Sequence, residues 1–139
     1  MVVRAEVVRR KLQEIEEAVA YLRSWDVSQA ALAQDRQLRW AVERGLQVAA
    51  EALFDTGAHI LAAEFQETVD AYREIPGRLL ARGVISAATA ERLEGLAGFR
   101  NVLVHDYAEI DLSRIVAGVE RLGDFDVFVA DVAHFVDQR

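Results

Sequence analysis

The chain has 139 residues, within the size range of a single domain, and its composition (53% hydrophobic, 28% charged, one Pro, eight Gly) favours a compact helical protein over a disordered or turn-rich β one. The absence of Cys excludes disulfides, thiolate zinc sites and a cysteine nucleophile, and fits a reducing cytosol. A formal net charge of −7, from 23 acids against 16 bases, gives a whole-molecule field that repels polyanions, so any contact with nucleic acid has to be local.

The opening residues Met1-Val2-Val3-Arg4-Ala5-Glu6 carry charge where a signal peptide needs an apolar run. No stretch approaches the roughly 18 uncharged residues of a membrane span, so a cytoplasmic chain without a membrane partner is expected. Val3, Val7, Leu12, Ile15, Val19 and Leu22 then mark an amphipathic first helix, which Trp25-Asp26-Val27-Ser28 interrupts. Ser28 is an N-cap candidate for a second, longer helical stretch from about Ala30 to Ala63. Its apolar face is Leu38, Val42, Leu46, Ala49, Leu53 and Ile60 or Leu61, with Gly45 and Gly57 as weak points and a kink or break expected at Gly57.

Phe65 to Ile75 reads as a short helix or turn, and Ile75-Pro76-Gly77 as the strongest break in the chain. Arg78 to Val84 makes a short helix ending at Gly83. Ser86 starts a further helix whose inward stripe is Ala90, Leu93, Leu96, Phe99 and Leu103. Asp111 caps the last helix, where Ile115, Val119, Leu122, Phe125, Val129, Val132 and Val136 hold one face. With no internal repeat and no sustained two-residue alternation, the expectation is one all-α domain over residues 1–139, an up-and-down bundle of four to five helices.

Polar chemistry concentrates in Arg100-Asn101-Val102-Leu103-Val104-His105-Asp106-Tyr107. At about 100° per residue, Asn101 and His105 lie one turn apart on a common face, with Arg100 and Tyr107 on a neighbouring line. A histidine that titrates near neutrality can move a proton, an arginine can hold a phosphate by two hydrogen bonds, and an asparagine can orient either. That set suits cleavage of an RNA phosphodiester by the neighbouring 2′-hydroxyl, with His105 as proton-transfer residue, Arg100 stabilising the phosphorane oxygens and Asn101 in support, with no metal or cofactor required. One histidine cannot be base and acid together, so a two-fold dimer with both His105 groups in one cleft is expected. Asn101 is the only Asn in the chain, which points to an amide being wanted there.

The same residues have ordinary roles. An Arg and a His at a helix end commonly make a salt bridge and a cap. Tyr107 alone reads as a half-buried aromatic. His59 could support the cleft, but a lone helix histidine is more often packing or surface; His59 and His134 lack metal-ligand spacing, so no metal site is expected. Of the 16 bases only Lys11 is Lys, and Arg36, Arg39 and Arg44 sit among Asp35 and Glu43, which favours surface ion pairing over an RNA-binding strip. Trp25, Trp40 and Phe54 are candidates for a dimer face or for the core.

The segment RNVLVHDY resembles the R-x-x-x-x-H-x-Y signature of HepT-like proteins of the HEPN superfamily. The likeness extends to RWAVERGLQVAAEALFDTGAHILAAEF, the Pro76 break, the ERLEGLAGFRN approach and the YAEIDLSRI exit, and so covers most of the chain. It implies an all-helical, dimeric toxin of a type VII toxin–antitoxin pair, acting as a metal-independent RNA endonuclease with Arg100 and His105 as the catalytic pair. It further implies a minimal nucleotidyltransferase antitoxin, MntA-like, that neutralises the toxin by transferring AMP to the motif tyrosine, here Tyr107. Bulk and a negative phosphodiester at Tyr107 would obstruct entry of RNA phosphate without a change of fold. The alternative is a non-catalytic HEPN module that pairs with a nucleotidyltransferase and binds nucleotide or nucleic acid. A structural helical dimer without ligand is a third, simpler reading.

Overall fold

A computed structural model describes residues 5–105 and 110–139, the side chain of His105 excepted. Among these residues there is no strand, and the helices are α1 (Ala5–Ser24), α2 (Gln29–Gln34), α3 (Arg36–Phe65), α4 (Ile75–Ala81), α5 (Ala87–Arg92), α6 (Leu96–His105), α7 (Leu112–Glu120) and α8 (Gly123–Asp137), with a 3-10 turn at Tyr72–Glu74. The expected all-α bundle is present. Five of the helices have nine or more residues; of the shorter ones, α2 is divided from α3 by a capping carboxylate and α5 from α6 by a glycine.

α1 buries Val8, Leu12, Ile15, Ala18, Val19 and Leu22, the three-and-four spacing that turns one face of a helix inward. That face lies along α3, and the approach is close because Gly45 sits opposite Leu22: a Cβ there would be 2.8 Å from Leu22 Cδ2. α8 returns antiparallel to α1, as the ion pairs Arg9–Asp137 and Arg23–Asp126 join opposite ends of the two helices. Both pairs are exposed and fix register more than they stabilise. α3 touches α1, α2, α4, α6, α7 and α8, and is the axis on which the bundle is assembled.

The single stretch expected from Ala30 to Ala63 is two helices. Asp35 has extended backbone (φ −127°, ψ 99°) and its carboxylate accepts from the Leu38 N–H at 3.1 Å, so it ends α2 and caps α3 together. Gly57, where a kink or break was expected, lies inside an uninterrupted α3. Its missing side chain serves packing instead, since a Cβ would be 2.5 Å from Ile75 Cγ2 and 3.1 Å from Leu79 Cδ1. α3 stops at Gln66, in the left-handed conformation (φ 55°).

Pro76 also differs from expectation, because α4 begins at Ile75 and carries the proline in its first turn. A first-turn residue has no helical acceptor for its N–H, so a ring nitrogen costs nothing there. The stripe from Ala90 to Leu103 is likewise divided: α5, capped by Ser86 accepting from the Thr89 N–H at 3.1 Å, ends at Leu93, and Gly95 (φ +88°) redirects the chain into α6. The last helix, capped as expected by Asp111, breaks at Arg121-Leu122 into α7 and α8.

Candidate functional site

α6 carries Arg100 and Asn101 and ends at His105, so the one-turn relation between Asn101 and His105 holds along its backbone. The side chain of His105, and Tyr107 altogether, lie outside the described residues. Arg100 is half-buried on this helix. Its side chain is 19% exposed, Nη2 donates to Glu51 Oε1 of α3 at 3.1 Å, and Nη1 donates to Asn101 Oδ1 at 3.3 Å. The guanidinium lies 5.0 Å from the ring centroid of Tyr72, and Nε is buried without a hydrogen-bond partner among the described residues.

The partners of Arg100 are themselves held. Gln47 Nε2 donates to Glu51 Oε1 at 3.1 Å, so Glu51 is oriented from its own helix. Tyr72 stacks on buried Phe54 with centroids 4.9 Å apart, and its hydroxyl donates to Asp55 Oδ1 at 3.4 Å. Burial, followed by the Asp55 charge, pushes the Tyr72 phenol above its ordinary pKa, which keeps a neutral ring under the Arg100 cation. Phe54, Tyr72 and Arg100 thus form a layered support between α3, the 3-10 turn and α6.

Arg100, Asn101 and Tyr72 line a cavity of about 470 Å³ that also takes in Arg73, Ala97 and Gly98. Asn101 is exposed at its rim and accepts the Arg100 hydrogen bond. Only one hydrogen of each Arg100 Nη is engaged in these bonds, so donors remain for an anion entering the cavity.

Glu51, Gln47, Tyr72 and Arg73 did not emerge from the sequence reading. A signal existed for the α3 residues: Gln47, Glu51 and Asp55 recur every four positions beside buried Leu46, Ala50 and Phe54, a polar line on an otherwise apolar helix. Tyr72 and Arg73 had no such periodicity, being on a turn.

Other candidates fall elsewhere. His59 is half-buried on α3 and its nearest cationic influence is Lys11 of α1; burial, then Lys11, lowers its pKa below 6.5. It lines neither the cavity at Arg100 nor the one beside it. His134 is exposed on α8. Arg39 pairs with Glu43 at 3.5 Å, but with side chains only 14% and 18% exposed, and Arg39 Nη2 donates to Ile110 O at 3.4 Å, so this pair is largely buried and not at the surface as expected. Arg36 is exposed and lies 5.7 Å from the Trp40 ring. Phe54 is core, Trp25 is half-buried against Tyr21, and Trp40 is 62% exposed. Among the described residues no helix is long and apolar enough to cross a membrane.

Comparison with known proteins matches this architecture closely. The sequence family described as "Ribonuclease HepT-like" matches residues 8–132. The mRNA nuclease HepT of Shewanella oneidensis is 26% identical over 125 residues, 89% of this chain and 94% of that protein. A solved structure of the tri-AMPylated Shewanella oneidensis HEPN toxin in complex with MNT antitoxin aligns with a TM-score of 0.82 at 25% identity, over 92% of this chain and 97% of the toxin. YutE from Bacillus subtilis, a cytosolic protein of unknown function, shares the fold with a TM-score of 0.85 at 17% identity, over 99% of this chain and 93% of its own. With nearly its whole length matched, the chain belongs to the HepT-like ribonuclease family.

Proposed function

We propose that this chain is the toxin of a toxin–antitoxin pair, a metal-independent endoribonuclease whose catalytic groups are Arg100 and His105, supported by Asn101. The observation that carries the reading is the Arg100 guanidinium, fixed by Glu51 and Tyr72 at the edge of an open cavity on the helix that ends at His105. The printed descriptions of the HepT relative as an mRNA nuclease and of the HEPN toxin bound to MNT antitoxin support it.

In this mechanism His105 removes the proton of a ribose 2′-hydroxyl, whose oxygen attacks the adjacent phosphorus. Arg100 donates hydrogen bonds to the non-bridging oxygens as negative charge builds there. The P–O5′ bond breaks, the leaving oxygen takes a proton, and the products are a 2′,3′-cyclic phosphate and a 5′-hydroxyl. Base and acid are His105 from each protomer of a homodimer or higher homo-oligomer, and the paired Arg100 groups offset locally the −7 charge of each chain. A nucleotidyltransferase antitoxin silences the site by adding AMP to Tyr107, placing phosphate and bulk at the RNA entrance.

Purified protein in EDTA is expected to cut single-stranded RNA, and Arg100→Ala and His105→Ala are each expected to abolish cutting with helical circular dichroism unchanged. Cutting retained by both variants overturns the assignment. The non-catalytic module is favoured by one observation, that Glu51 neutralises Arg100 directly; RNA bound but left intact by the wild type would select it.

A further inference from the structure

Beside the cavity at Arg100 lies another of about 410 Å³, and the two share Arg73, Ala97 and Gly98. They are one channel, running along α6 opposite the 3-10 turn and α4. We propose that this channel is an RNA subsite, in which Arg73 holds the phosphodiester next to the scissile one and the strand passes over Gly98 toward Gly95 and Gly77. The proposal rests on the reading of Arg100 as the residue that meets the scissile phosphate.

The glycines carry the argument. Gly45, Gly57 and Gly118 all sit where a Cβ would press on a neighbour, at 2.8 Å from Leu22, 2.5 Å from Ile75 and 3.0 Å from Phe99. Gly98 is also inside a helix, but a Cβ there would meet nothing within 4 Å among the described residues, and its φ is not positive. Neither packing nor backbone conformation requires it, although glycine within a helix costs about 1 kcal/mol relative to alanine. Gly77 faces equally open space; Gly95 does as well, but its φ of +88° already requires a glycine. At Gly98 and Gly77 no side chain projects into the channel, which leaves room there for close passage of a sugar-phosphate chain.

Charge identifies the occupant. Arg78 is paired with Glu67 at 3.1 Å and Glu74 at 3.2 Å, and Arg82 with Glu67 at 2.6 Å. Arg73, exposed on the same side, has no hydrogen bond or ion pair among the described residues, so its guanidinium is available to an anion. Glu91 and Glu94 line the far end and turn away further phosphates, while Pro76, Ala90 and the 38%-exposed Leu80 offer an apolar floor there. One flanking phosphate on Arg73 followed by an uncharged base matches that sequence of surfaces.

The test is fluorescence anisotropy with a 2′-O-methyl oligoribonucleotide, which binds but lacks the nucleophile. Arg73→Gln is expected to weaken binding about fivefold at low salt and to flatten the slope of log affinity against log salt by about 0.7, the loss of one single-strand phosphate contact. Gly98→Leu, which has room to fold, is expected to weaken binding about tenfold by filling the channel, with an unchanged or higher Tm. Arg10→Gln, an equal change of charge on exposed α1, controls for net charge. Wild-type affinity in both channel variants, an equal effect from Arg10→Gln, or no binding by the wild type overturns the subsite. The nuclease reading fails separately: loss of cutting in Arg100→Ala alongside unaffected binding in Arg73→Gln removes the subsite alone, whereas Arg73-dependent binding without wild-type cutting removes the nuclease alone.

Discussion

The α1–α3–α8 side of the molecule and the α4–α6 side use glycine in opposite ways. On the first, Gly45 lets Leu22 close onto α3, and the surrounding side chains Val8, Ile15, Leu46, Leu53 and Phe128 are almost wholly buried. On the second, Gly77 and Gly98 leave space that none of the described residues fills, and Gly95 serves a turn at φ +88°. Gly57 marks the boundary, filled from α4 by Ile75 and Leu79. The contrast teaches that the same residue type reports packing where a neighbour occupies its missing side chain, and access where none does.

The largest expected effect is on the open side. Glu51→Ala removes the carboxylate that fixes Arg100 and is expected to lower kcat about a hundredfold with little change in KM, as misplacement of a positioned group does. Glu51→Gln, which can still accept from Nη2, is expected to recover part of that loss; equal rates in all three proteins would show that Arg100 needs no such support. On the closed side, Gly57→Val is expected to destabilise by about 2 to 3 kcal/mol in urea titration, because Ile75 and Leu79 have no room to yield. A Gly57 variant as stable as wild type would contradict the close approach of α4.

Gly98→Ala is expected to do the reverse and raise stability by about 0.5 to 1 kcal/mol, since it improves helix propensity at no steric cost. A loss of stability would mean that the channel is filled. The smallest effect concerns His59. Its folded-state pKa is lowered, so the unfolded chain takes the proton first and stability falls as pH drops through the unfolded value near 6.5. Glu67, Glu74 and Asp111, whose pKa values are lowered by Arg82, Arg78 and Ser113 respectively, act in the same direction at more acid pH. Tm profiles of wild type and His59→Gln should therefore diverge between roughly pH 7 and pH 5.5 and run parallel above; parallel profiles throughout would remove His59 as a source of acid sensitivity.

Much of the fold was legible because apolar spacing and capping residues are local signals. Ser28, Ser86 and Asp111 cap where expected, and the buried faces of α1 and α8 follow the periodicity at Leu12, Ile15, Val19, Leu22, Phe125, Val132 and Val136. Val8, however, is buried in place of Val7, Phe128 and Phe135 are buried and Val129 is only half so, and Val3 lies outside the described residues. The misreadings share one cause. Gly57 and Pro76 look like breakers in isolation, yet both are accommodated by the α3–α4 contact, which only tertiary structure supplies. Asp35 and Gly95 divided stretches whose hydrophobic pattern ran through them, because a cap and a left-handed residue act on backbone geometry without disturbing that pattern.

The site was legible in part for the same reason. Arg100 and Asn101 stand together on α6, as the short motif required, and Asn101 bonds to Arg100. The supports of Arg100 come from residues 49 and 28 positions away, and nothing local links Glu51 or Tyr72 to it. His105 and Tyr107 retain the roles given by the motif and the family as proposals.

The most direct test of the account is the chemistry of the ends left on RNA cut in EDTA. Attack by the 2′-hydroxyl predicts 2′,3′-cyclic phosphate and 5′-hydroxyl termini from the wild type and no new termini from His105→Ala. Termini with a 3′-hydroxyl and 5′-phosphate, or cyclic phosphate ends formed equally by His105→Ala, would contradict it.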